Sequence, residues 1–153
     1  MTNAPRGNVQ NKLLPTQDAQ IEQALIKIIQ QGDVKALIET AELLGKQLVS
    51  ENLATAQIRN IFGTARRIQA MHQELKKADS PLWRDFVLLK PKLAYQARRK
   101  KEVKLLVDWL TVAIDLVDRD HTRFVYFMEF FEAVLAYHTA NGGSDKEEGR
   151  IRS

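Results

Sequence analysis

From Ile21 to Tyr137, apolar residues return every three or four positions along most of the chain. Ile21, Leu25, Ile28 and Ile29 make the first such stripe, and this spacing places its members on one face of an α-helix. Seven glycines and four prolines among 153 residues leave no ladder of short alternating runs divided by turns, which argues against a sandwich or barrel. One domain is the natural unit at this length, with a core that shields about 70% of the unfolded chain's surface. Cysteine is absent, which removes disulfides, thiolate-held zinc, iron-sulfur clusters and thiol catalysis. The expected fold is all-α, a single-domain bundle of about five to six helices held by packing alone.

Local signals divide the chain further. Residues 1–17 are polar, contain Pro5, Gly7 and Pro15, and read as a flexible N-terminal arm. The bundle should span 18–141 and a flexible tail 142–153. Asp18 opens the first helix and Gly32 closes it. Asp33 caps a second helix to about Leu48 with Val34, Leu37, Ile38, Ala41, Leu44 and Leu48 inward, weakened by Gly45. Thr55 is the cap candidate of a third helix to about Lys77, whose apolar stripe runs from Ile58 to His72 and Leu75. Ser80-Pro81 starts a short helix to Leu89, and Lys90-Pro91 interrupts it. A fifth helix from about Pro91 to Val117 and a sixth from Arg123 to about Ala140 follow, the last stopped by Asn141-Gly142-Gly143.

Charge is divided unevenly. Thirteen basic residues face four acidic ones between Ala56 and Lys104, a balance of +9, whereas the segments before and after carry −1 and −4. Such a field poses the question of which polyanion it meets, the plain alternative being a solvated face. On the third helix Arg59, Arg66, Gln73 and Lys77 fall on one line opposite the apolar stripe, with Arg67 beside it. That line extends about 27 Å, a straight rail able to follow a phosphate backbone. The fifth helix has two ends that disagree about their apolar face. Its inward stripe of Leu105, Leu106, Trp109, Leu110 and Ala113, extended backward, holds Tyr95, Arg98 and Arg99, which points to an external anion beside Lys90 and Lys92. The last helix holds six of the eleven aromatic residues over an arc wider than one core contact needs, and the surplus suggests a protein interface.

Catalytic motifs are missing. His72, His121 and His138 lie on separate segments, and there is no H-E-x-x-H pair, phosphate-binding glycine loop or nucleophile elbow. Asp115, Asp118, Asp120 and His121 cluster near a turn, but their spacing matches no loop signature, and helix capping explains them better than a metal. Neither an enzyme nor a cofactor is expected. No stretch reaches the roughly 18 apolar residues of a membrane span, and no signal-peptide block precedes the domain, so a cytoplasmic protein is expected.

Three blocks resemble the small, all-helical subunit of type III-A (Csm-type) CRISPR interference complexes. They are Leu53 to Phe62 with Arg66-Arg67-Ile68, the run Leu89-Lys90-Pro91-Lys92-Leu93-Ala94-Tyr95-Gln96-Ala97-Arg98, and Phe130 to His138, in that order. The leucine-lysine-proline-lysine-leucine-alanine-tyrosine string is the most specific. The resemblance implies a non-catalytic subunit of an antiviral effector, with target RNA and guide RNA, other subunits of the complex and copies of itself along a filament as partners. It implies phosphate contacts from Arg59, Arg66, Lys90, Lys92 and Arg98, and structural roles for Tyr95 and Tyr137. Asn60 departs from the pattern, standing where a basic residue is common.

The charge pattern adds Arg67, Arg99, Lys100 and Lys101 to the RNA-binding set. The expected function is binding to the sugar-phosphate backbone of guide-paired target RNA without sequence specificity. Two rivals remain at this point: a helix-turn-helix DNA binder reading through Ala56 to Gln69, and a helical adaptor that binds only proteins.

Overall fold

The computed structural model describes residues 13–143, and among them every regular element is helical. Helix α1 (Asp18–Leu25) widens into a π-helical turn (Ile26–Gln30), and Gly32, at φ +67°, follows it. Helix α2 (Val34–Ser50) is capped by Asp33, whose Oδ1 accepts from the Ala36 amide at 3.1 Å. Helix α3 (Thr55–Gln69) is followed by a single turn, α4 (His72–Leu75). Helix α5 (Pro81–Val87) begins where expected, the Ser80 hydroxyl accepting from the Leu82 amide at 3.2 Å. Then come α6 (Leu89–Arg99), a 3₁₀ turn (Lys101–Val103), α7 (Lys104–Val117) and α8 (His121–Ala140), the last capped by Asp120 through the Arg123 amide at 3.0 Å.

Helix α8 is the axis of the bundle. Phe131 meets Phe62 of α3 at 4.3 Å between ring centroids, Phe124 and Phe127 meet Phe86 of α5 at 5.2 and 5.1 Å, and Phe130 meets Trp109 of α7 at 6.3 Å. Along α2 the approach is close enough to need glycine. A Cβ on Gly45 would stand 2.8 Å from the His138 amide nitrogen and from Tyr137 Cβ, and one on Gly32 would strike the Tyr126 ring. These contacts pair rising numbers on both segments, so α2 and α8 run in the same direction. The wide apolar arc of α8 is therefore spent inside the domain, with Phe124, Phe127, Met128, Phe130, Phe131 and Val134 all buried, rather than on the protein interface the sequence suggested. A helix with so wide an apolar arc belongs in a core, and its exposed polar positions are Thr122, Glu129, Glu132 and Thr139, the other exposed ones being small or branched.

Several expectations need correction. Thr55 does not cap α3. It is buried in the first turn, and the cap bond comes from Gln57, whose Oε1 accepts from the Ala54 amide at 2.9 Å. The third helix ends at Gln69, not Lys77, so Gln73 and Lys77 are not in register with Arg59 and Arg66 and His72 stands exposed. Val34 and Ile38 are exposed rather than inward. The break before α6 falls at Leu88, leaving Lys90-Pro91 inside its first turn. The presumed long fifth helix is two helices, divided at Lys100, which is extended (φ −131°, ψ 109°). That division explains why its two ends disagreed: Leu89 and Leu93 face the core from α6 independently of α7's stripe. Of the expected arm, Leu14 packs against the core, and residues 1–12 lie outside the described residues, as do 144–153 of the expected tail.

Candidate nucleic-acid interface

The candidate interface comprises two helical stripes, on α3 and α6, that border a groove. On α3, Gln57, Asn60, Thr64 and Arg67 recur at helical spacing, about 60–100° away from the arc that buries Ile58, Ile61, Ala65 and Ile68. On α6, Lys92, Gln96 and Arg99 do the same beside the buried Leu89 and Leu93. Gln57 also ties the groove's end, donating from Nε2 to Glu102 Oε2 at 2.9 Å in the 3₁₀ turn.

Three adjoining clefts run along the stripes, the first and third bordered by both helices and the second by α6 alone. The first, 140 Å³, is lined by Gln57, Asn60, Gln96, Arg99, Lys100 and Val103. The second, 420 Å³, shares Gln96 and Arg99 and adds Pro91, Lys92 and Tyr95. The third, 440 Å³, shares Lys92 and continues along Thr64, Arg67, Ile68 and Met71 to Leu82, Asp85 and Leu88 of α5. The first two adjoin through Gln96 and Arg99 and the last two through Lys92, and along this run Arg67, Lys92, Arg99 and Lys100 are the cations and Asp85 is the one carboxylate among the described lining residues. A larger cleft of 560 Å³ lies on the far side of α5, touching this one only through Leu88. Its walls are more apolar, with Trp83, Pro81 and Val87 beside Arg84 and Arg119.

The nine residues nominated by the sequence are not all alike. Lys90 is half-buried and its ammonium sits 2.6 Å from Asp115 Oδ1, so its charge is already opposed. Arg66 turns toward α8, 3.8 Å from Glu132 and with its guanidinium 4.9 Å from the centroid of the Phe62 ring. Arg67 donates to Thr64 Oγ1 at 3.0 Å, which holds it along the groove wall. Arg59, Lys92, Arg98, Arg99, Lys100 and Lys101 are exposed, and neither they nor Arg67 form an ion pair among the described residues. Arg59 and Arg66 lie on the flank of α3 away from the groove, about 100° round from Arg67, and Arg98 lies about 100° from Arg99 on α6.

Sequence reading missed the uncharged members. Tyr95, assigned a structural role by resemblance, is 63% exposed on the groove, and Arg99 lies 5.7 Å from its ring centroid. Asn60 and Gln96 also line it. The signal was present as the spacing Gln57, Asn60, Thr64, Arg67, which is hidden when only cations opposite an apolar stripe are followed.

Among the described residues no group of three or more metal-ligating side chains comes together; Asp115 pairs with Lys90 and Asp120 caps α8. No helix is long and apolar enough to cross a membrane. The family model Csm2 Type III-A matches residues 31–144, a span that contains α2 to α8 and the whole groove. The chain belongs to the Csm2 Type III-A family. It is accordingly a small subunit of a type III-A CRISPR complex, as the three sequence blocks implied. No curated protein and no solved structure matches it at a significant level.

Proposed function

We infer that this subunit holds the sugar-phosphate backbone of target RNA paired to guide RNA in the groove between α3 and α6, without reading sequence. The observation that supports this reading is the run of adjoining clefts lined by Arg67, Lys92, Arg99 and Lys100, whose lining holds no carboxylate except Asp85 at the α5 end. Cations left unpaired on a concave wall attract a polyanion, and contacts to phosphate carry no sequence information. Arg59, Arg98 and Lys101 widen the positive field on either flank. Lys90 acts chiefly by fastening α6 to α7 through Asp115. The subunit is non-catalytic, works in an antiviral effector beside other subunits and copies of itself, and leaves specificity to guide pairing.

The test is anisotropy of guide–target duplexes of three unrelated sequences with the full chain at fixed salt. Affinities that agree within about twofold, and that fall together as salt rises, are expected. Binding to only one of the sequences, or no binding at low salt, refutes the reading.

A further inference from the structure

Tyr95, 63% exposed on α6, is the one Phe, Tyr or Trp among the described residues left open to water, whereas Trp83 and Phe86 of α5 and Phe124, Phe127, Phe130 and Phe131 of α8 are buried. Its surroundings narrow the reason for that exposure. On α6 it lies one turn after Lys92 and one turn before Arg99, and the cleft these residues share with Pro91 and Gln96 has no carboxylate in its lining. Arg99 lies toward the ring at 5.7 Å from its centroid, close enough for a cation–π contact yet loose. A protein partner seated here would have to bring both an apolar surface and several acids. A nucleotide brings a flat π-face and a phosphate on either side of it.

We propose that Tyr95 is a stacking platform for an unpaired nucleobase, with Lys92 and Arg99 taking the phosphates on its two sides. The inference rests on the RNA-binding reading of the groove and deepens it, because backbone contact alone gives no reason for an exposed ring. Stacking tolerates any base, so the subsite adds affinity without adding sequence preference. Gln96, whose amide offers both donors and an acceptor, stands beside the ring within reach of a base edge of either polarity. A base inside a perfect duplex has both faces covered by its neighbours and gains nothing from the tyrosine. The subsite thus serves a base left unpaired beside the guide-paired stretch, while the cations hold the backbone of paired and unpaired strand alike.

The experiment compares the full chain with its Tyr95→Ala and Tyr95→Phe variants on a single-stranded 20-nucleotide RNA and on the same RNA in a perfect duplex, at one salt concentration. Tyr95→Ala is expected to weaken single-strand binding about 5- to 140-fold, the range set by loss of one base–aromatic stack. Duplex binding should change by less than about twofold, and Tyr95→Phe should restore the single strand. The exposed position makes the variants safe for folding, which circular dichroism checks. Equal loss on both RNAs would mean that the ring only positions Arg99, and no loss on either would leave it without a stacking role; each overturns the proposal. If the unaltered chain binds neither RNA, the RNA-binding reading itself fails, and the stacking proposal goes with it.

Discussion

Neutralising Lys92 and Arg99 together isolates the groove's electrostatic share of binding. Both are exposed and without ion pairs among the described residues, so Lys92→Gln with Arg99→Gln removes two charges while leaving the core intact. Counterion release gives a slope of about −0.7 in log affinity against log salt for each phosphate neutralised on a single strand. Four groove cations then give about −2.8, and raising salt fourfold, from 50 to 200 mM, costs about 50-fold in affinity. With two removed the slope falls to about −1.4 and the same salt step costs about 7-fold. The assay is anisotropy of a labelled single-stranded RNA across a salt series, with helicity followed in parallel. An unchanged slope in the double variant would refute the groove as the phosphate path. So would a larger change on Arg59→Gln with Arg66→Gln, which would move the path to the opposite flank of α3.

Three further outcomes concern the scaffold. Gly45→Ala should destabilise in urea, because overpacking against the α8 backbone costs about 1–3 kcal/mol and outweighs the ~1 kcal/mol that alanine contributes to a helix; a net gain would show that the two helices part without cost. Gly63→Ala, with nothing within 4 Å of its Cβ, should stabilise by about 0.5–1 kcal/mol, and a loss there would contradict the open space. His138 is fully buried with Nε2 2.6 Å from the Leu53 carbonyl and Nδ1 3.5 Å from Thr55 Oγ1. His138→Leu should cost about 1–3 kcal/mol by stranding that carbonyl, and a denaturation midpoint equal to that of the unaltered chain would show that the bond contributes nothing.

What could be read from the sequence were the features with local chemical causes. Asp33 and Ser80 announce helix starts because their short oxygens reach the next free amides, and Gly32 announces a stop because it accepts a positive φ. The apolar stripes gave the bundle, since burial of one face is what makes a marginal helix persist. Breaks that tertiary packing imposes left no such mark. No glycine or proline stands at Lys100, and the sole hint was that Arg98 and Arg99 fell in line with a stripe they do not share. The end of α3 at Gln69 was equally silent, so a rail drawn through Lys77 joined two elements. Gly45 was misread because propensity sees a weak helix former, whereas its value lies in what approaches from α8. The groove depends on the relation of α3 to α6, and a pairing of faces is written in no single segment.

The central position of α8 bears on how the protein is made. Ribosomes deliver α2, α3, α5 and α7 before the helix against which they pack, so those inward faces stay uncovered until residues near Ala140 emerge. Shortening the gene from its 3′ end past that point would leave the apolar faces of α2, α3 and α7 with no keystone, a polypeptide for chaperones and proteases rather than a smaller working subunit.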